Sequence, residues 1–151
     1  MVVTFCGHSR TILCEEELQL LKNTLIEIID KNNDCIFYLG GYGNFDNICL
    51  SILTELKKIY PNISTVFITP YINNNYSKLK WAKTSYDEII YPEIENTPLR
   101  YAITKRNQWM IDNSNLLICC IDHTFGGAYK TLKYAKLRKL KYINISKEKT
   151  E

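Results

Sequence analysis

The sequence predicts an α/β fold, three layers (α/β/α) built on a mostly parallel sheet of about six strands. Three observations lead there. Short apolar, β-branched runs alternate with longer amphipathic stretches, the pattern of successive βαβ units. The apolar runs are continuous, as strands covered on both faces are. Three of them stop at glycine: at Gly7, at Gly40, Gly41 and Gly43, and at Gly126 and Gly127. Right-handed crossovers bring the ends of the first, second and fifth strands to one rim. Ligands of open α/β sheets bind at that rim.

The elements follow in order. Residues 2–6, VVTFC, read as a buried strand ending at Gly7-His8-Ser9-Arg10. Residues 15–31 read as a helix, with Leu18, Leu21, Leu25, Ile28 and Ile29 on one face. Glu15, Glu16 and Glu17 lie in its first turn, where the helix dipole favours them. Residues 35–39 are the second strand, and 45–59 the second helix, with Ile48, Ile52, Leu53, Leu56 and Ile59 inward. Residues 65–68 are the third strand. Residues 70–86 lack periodicity and read as a long surface loop with one helical turn near 78–83. Residues 87–91 form a short strand near an edge. Thr97 and Pro98 read as N-cap and first helical residue of a helix reaching Asn113, with Leu99, Ile103, Met110 and Ile111 buried. Residues 116–121 are the fifth strand. A helix follows, with Ala128, Leu132, Ala135 and Leu137 inward, and residues 141–145 close the sheet.

At 151 residues the chain has room for one domain, over 1–146, with a charged tail at 147–151. A formal charge of +3 is too small to point to nucleic acid or an anionic membrane. No apolar run approaches the roughly 20 residues of a membrane span. Of six cysteines, Cys6, Cys35, Cys119 and Cys120 sit in apolar runs, where a free thiol acts as a small hydrophobe. With no leader pattern, the expectation is a reducing, cytoplasmic setting. Nothing calls for a cofactor, and there is no phosphate-loop or nucleophile-elbow motif.

Residues 36–49, IFYLGGYGNFDNIC, carry the strongest chemical signal. A strand that breaks into glycines and re-forms as a helix suits an anion site, and equally a tight turn that needs glycine for its geometry alone; three such breaks on one rim favour the anion site. The expected ligand contacts are Gly7, His8, Ser9 and Arg10; Gly40, Gly41, Tyr42, Gly43, Asn44 and Asp46; Arg106; and Gly126, Gly127 and Ala128. Phosphate is expected on the amides of Gly41 to Asn44 and of Gly127 and Ala128. A methyl at Gly41 is expected to cost affinity while the protein stays folded. Arg106 falls on or beside a buried stripe and needs a partner. A ligand phosphate suits its planar fork, and so does a structural ion pair with Asp46. Asp46 suits either a ribose contact or a bond to the loop amides. His8, Ser9 and Arg10 suit ligand contact, capping or solvent. Trp109 suits the core or an interface better than base stacking. The spacing of Cys6, His8, Cys120 and His123 matches no usual zinc pattern, so no metal site is expected. Lys130, Lys133, Lys136 and Lys139 read as a solvated face, with no nucleic-acid role expected.

Four motifs in order resemble the SLOG superfamily over roughly residues 2–146. They are CGHSR after the first strand, GGYGNFD after the second, RNQWM on the helix before the fifth strand and GGAYKT at the start of the last helix. Within it the chain looks most like the YpsA-like branch, and more distantly like the LOG phosphoribohydrolases and the DNA-processing protein DprA. The resemblance implies a Rossmann-like fold that binds a nucleotide or nucleotide-derived ligand, often as a homodimer. The LOG enzymes cleave the N-glycosidic bond of nucleoside monophosphates with a glutamate in a PGGxGTxxE loop and an arginine. Here Gly40, Gly41, Gly43 and Arg106 match, but Asn44 replaces the threonine and Asn47 stands at the glutamate position. The resemblance therefore implies binding ahead of hydrolysis. Asp46 and Arg106 are the candidate catalytic groups, with Glu88 as an alternative carboxylate. A third possibility is a protein-interaction module using the tyrosine-rich stretch 71–86.

Overall fold

The computed structural model describes residues 1–71 and 76–147. Six strands form one sheet: β1 (Val2–Gly7), β2 (Ile36–Leu39), β3 (Ser64–Ile68), β4 (Glu88–Ile90), β5 (Leu116–Cys120) and β6 (Tyr142–Asn144). All pairs are parallel, in the order β4-β3-β2-β1-β5-β6. The helices are α1 (Glu15–Lys31), α2 (Asn44–Lys57), α3 (Tyr76–Ser85), α4 (Ala102–Asp112) and α5 (Gly127–Leu137). This is a Rossmann-like α/β fold. From β1 the chain steps outward through β2, β3 and β4, then crosses back to β5 on the other side. The order reverses between β1 and β5, which pair with Gly7 level with Cys120. That switch point opens a crevice at the carboxyl ends of these strands.

Successive strand residues face opposite layers, and this splits the core. Phe5 and Ile118 join Phe37, Leu39 and Phe67 under α1 and α2. Cys6, Leu117 and Cys119 pack with Ile111 of α4 and with Leu132 and Ala135 of α5. Both faces are covered at the centre of the sheet, so β5 is buried along its whole length and β1 at all but its two ends. All six cysteines are free thiols, and five are buried. Among the described residues no helix is long and apolar enough to cross a membrane.

Four expectations need correction. The stretch 70–86 is not a loop with one turn, because it contains the helix α3. Among its described side chains Leu79 and Ala82 face the core, followed by the buried Tyr86, and so narrow a stripe gives weak periodicity. Residues 72–75 of that stretch lie outside the described residues, as does most of the expected charged tail, 148–151. The helix expected from Thr97 begins later. Pro98 is extended (φ −54°, ψ 141°), a short 3-10 turn spans Leu99–Tyr101, and α4 starts at Ala102. Its buried side is Ala102, Arg106, Met110 and Ile111, while Leu99 and Ile103 are exposed. The stripe runs through Arg106, which the sequence placed on or beside it, and that rotation leaves Ile103 outward. Ile59 lies beyond α2, and both Ile59 and Leu137 are exposed. Each sits at a helix end that has already turned away from the sheet.

The acidic first turn of α1 does more than meet the dipole. Cys14 caps the helix, and Glu17 closes a capping box by accepting from the Cys14 amide at 3.0 Å. Its other oxygen accepts from the Lys147 amide at 2.8 Å. Glu17 therefore fastens the segment after β6 to the start of α1, close to the rim.

Candidate functional site

The site begins with an arginine turned inward. Arg106 is only 3% exposed. Its Nη1 donates to the carbonyls of Gly40 (2.9 Å) and Ile68 (2.6 Å), and its Nε donates to Asn107 Oδ1 (2.9 Å). One side chain of α4 thus ties together the ends of β2 and β3. It crosses Gly40 so closely that a Cβ there would lie 3.0 Å from the guanidinium carbon. The close approach explains this glycine without any appeal to φ.

Gly41 is required for a different reason. Its φ is +73°, and a Cβ on it would overlap the Phe67 ring. That Cβ would point into the core and away from the cleft, which corrects the expectation that a methyl at Gly41 blocks ligand and spares the fold. Gly43 (φ +97°) is the N-cap of α2, with no side-chain cap.

Asp46, in the first turn of α2, is buried. The backbone amides of Tyr42, Gly41 and Gly40 point at its carboxylate. Of its two expected roles, the loop brace is what the structure contains. No direct ion pair joins it to Arg106 among the described residues, though the two charges interact. Burial pushes the Asp46 carboxyl up to about 6, although Arg106 and the amides pull it down. A carboxyl raised in the folded state keeps its proton longer than in the unfolded chain. Its contribution to stability is therefore full below the unfolded value of 3.8 and is lost as pH rises to about 6. The gap of about two pH units corresponds to roughly 3 kcal/mol. Asp46→Asn should remove this decline, so denaturant melts at pH 4 and pH 7 should differ less for the variant than for the parent. An equal or larger difference in the variant would contradict the assignment.

The phosphate cradle expected on Gly41 to Asn44 is largely taken. Gly41 and Tyr42 amides serve Asp46, and the Asn44 amide donates to Ser9 O at 2.9 Å. The N-terminus of α5 differs. Its N-cap, Gly126, offers no side-chain cap, so the first amides of the helix lack internal acceptors. Thr131 Oγ1 donates to Gly127 O at 3.1 Å and accepts from Asn107 at 3.2 Å, fixing this first turn against α4.

Between these parts lies a cleft of about 420 Å³. Eleven expected residues line it: Gly7, His8, Ser9 and Arg10 at and after the end of β1; Gly40, Tyr42 and Asp46 after β2; Arg106 on α4; and Gly126, Gly127 and Ala128 at α5. Gly41, Gly43 and Asn44 do not, since they form the back of the loop. Glu88 lies on the edge strand β4, outside the cleft lining. Trp109 packs against Tyr38 on the sheet, as the core reading held. Residues not anticipated as contacts also line the cleft, among them Ile103, His123, Phe125 and Thr131. His123 and Phe125 stand in the break after the fifth strand, so the signal was present but the glycines of that segment masked it.

One wall is aromatic. The His8 and His123 rings stack with centroids 3.4 Å apart, and Phe125 lies 4.1 Å from His123. Phe125 is 69% exposed, an unusual position for a large apolar ring beside a polar crevice. Burial and the neighbouring His123 hold His8 below its ordinary value, against Asp122.

Comparison with known proteins agrees with this architecture. Residues 16–146 match the family model described as the YspA SLOG family. The uncharacterized SPbeta prophage-derived protein YoqJ of Bacillus subtilis (strain 168) is 28% identical over 127 residues, 73% of this chain and 74% of the relative. Among solved structures, the single-stranded-DNA-binding DNA processing protein A of Helicobacter pylori superposes with a TM-score of 0.64 at 18% identity. The match covers 94% of this chain and 63% of that one, so the chain spans less than two thirds of that protein. The structural-genomics target TM1055 gives 0.53 at 11% identity, covering 93% and 71%. The Chlamydomonas rheinhardtii Moco carrier protein gives 0.51 at 14%, covering 93% and 72%. At these identities the structural likenesses show the fold.

Proposed function

Since the chain belongs to the YspA SLOG family, we propose that it is a binding protein for a nucleotide or nucleotide-derived molecule, held in the cleft between β1 and β5. The observation that carries this reading is the uncapped N-terminus of α5 facing a cleft that a buried arginine also lines. A phosphate or diphosphate accepts from the Gly127 and Ala128 amides at the positive end of the helix. Arg106 adds charge from below. Its Nη2 has no acceptor among the described residues, while its other nitrogens are engaged. The base or other flat ring lies against Phe125 and Tyr42 at the mouth. The protein is read as one domain over 1–146, as cytoplasmic, which suits six free thiols, and as a homodimer, as the SLOG resemblance implies.

Titration calorimetry with mono-, di- and cyclic nucleotides, ADP-ribose and a molybdenum-cofactor precursor tests the reading. Single-stranded oligonucleotide belongs in the panel, given what DNA processing protein A binds. Saturable binding of one small-molecule class supports it. Folded protein that binds none of them refutes it, and preference for the oligonucleotide replaces it.

Hydrolysis of a nucleoside monophosphate is the second reading, favoured by a carboxyl of raised pKa, Asp46, in the cleft lining. Against it, that carboxylate is aimed at loop amides, and Asn47 holds the position of the LOG glutamate. Chromatography of AMP incubated with the protein decides it: base release that disappears in Asp46→Asn would establish the enzyme.

A further inference from the structure

Where β1 and β5 end, the chain turns three donor groups toward one another: His8, Asp122 and His123. His8 Nε2 lies 3.6 Å from Asp122 Oδ1, and His123 Nδ1 lies 2.6 Å from the same oxygen. One ligand atom from each residue falls within 4.8 Å of the others. No sequence spacing marks this grouping, because its members follow strands more than a hundred positions apart that are neighbours in the sheet. His8 Nε2 is buried and makes no hydrogen bond among the described residues. A buried ring nitrogen without a partner is costly and calls for an explanation.

We propose that His8, Asp122 and His123 form a binding site for a divalent transition metal of the zinc class, with one coordination position open to the cleft. Two imidazoles and a carboxylate suit Zn²⁺ and its neighbours better than the all-oxygen cations Mg²⁺ and Ca²⁺. Tetrahedral ligands at about 2.1 Å from zinc lie roughly 3.4 Å apart. The His8–Asp122 separation already matches. The His123–Asp122 hydrogen bond must open by about 0.8 Å to reach that spacing. Asp122 and His123 sit on a partly exposed turn (side chains 48% and 36% exposed), which leaves them room to move. Binding also splays the two stacked rings so that their lone pairs converge. Three protein ligands leave a fourth position, and His8 and His123 both line the cleft. A water or an anionic ligand oxygen completes the set, as at zinc sites that keep an open position. The proposal does not depend on which small molecule occupies the cleft.

The test uses full-length protein stripped with a chelator and dialysed. Zinc chloride titration by calorimetry should show one site per chain, binding at about micromolar free metal or below. Cobalt(II) should give the visible spectrum of a four-coordinate ion without a sulfur-to-metal charge-transfer band. His123→Ala and Asp122→Asn, each checked for folding by circular dichroism, should weaken zinc binding by about a hundredfold, and Cys14→Ser, at the exposed thiol, should leave it unchanged. Failure of folded parent protein to take up zinc overturns the proposal. So does uptake that persists in the His123→Ala/Asp122→Asn double variant, or uptake lost with Cys14.

Discussion

Gly41→Ala should destabilise the protein by about 2–5 kcal/mol. Two costs act together. The residue sits at φ +73°, where an L side chain is strained, and its Cβ would overlap the ring of Phe67, which is fully buried. Phe67 has little room to retreat, because it stacks on Tyr86 with centroids 5.3 Å apart. A domain of this size has about 5–15 kcal/mol of stability in total, so the variant should melt well below the parent by circular dichroism. Phe67→Leu in the same background should recover part of the loss by making space. A Gly41→Ala protein as stable as the parent would show that the loop and Phe67 do not meet as described.

Arg106→Ala should be comparably costly, at about 3–5 kcal/mol. It strands the carbonyls of Gly40 and Ile68, which the Nη1 group bonds. It also removes the charge that offsets the buried Asp46. The midpoint of thermal unfolding should fall by about 10 °C or more. Arg106→Lys keeps a cation but loses the planar fork. It should recover part of the stability and little of any affinity for phosphorylated ligands. If Arg106→Ala melted like the parent, the arginine would be a surface group and not the tie between β2, β3 and α4.

The sheet and its rim were legible because the signals are local. Continuous apolar runs mark strands covered on both faces, and glycine at three strand ends marks the crevice. Arg106 was readable as inward because it falls on or beside the buried stripe of its helix, one turn from Met110. Its actual partners, the carbonyls of Gly40 and Ile68, are 66 and 38 residues away, and no spacing rule reaches them. The inner faces of Gly40 and Gly41 were not legible either. Both look like ligand-facing glycines in sequence, yet one makes way for Arg106 and the other for Phe67. α3 escaped notice because its apolar contacts among the described side chains, Leu79, Ala82 and Trp81, follow no long stripe. The His8–Asp122–His123 grouping was half legible: His8 and His123 come up for a metal in the sequence beside Cys6 and Cys120, but Asp122 does not, because the pairing of β1 with β5 and not any spacing brings it to His8.

The account centres on the N-terminus of α5 as the seat of a phosphate, and Gly127→Ala probes it most directly. A Cβ at Gly127 meets no protein atom within 4 Å, and its φ is not positive. Alanine in the first turn of a helix should therefore leave stability unchanged or raise it by up to about 1 kcal/mol. The same methyl stands beside the amides that would receive the phosphate. Calorimetric titration of parent and variant with the best nucleotide ligand should show affinity reduced about tenfold or more, a cost of about 1.4 kcal/mol, in a protein that melts no lower than the parent. Unchanged affinity in Gly127→Ala, or a parent protein that binds no nucleotide, would contradict the account.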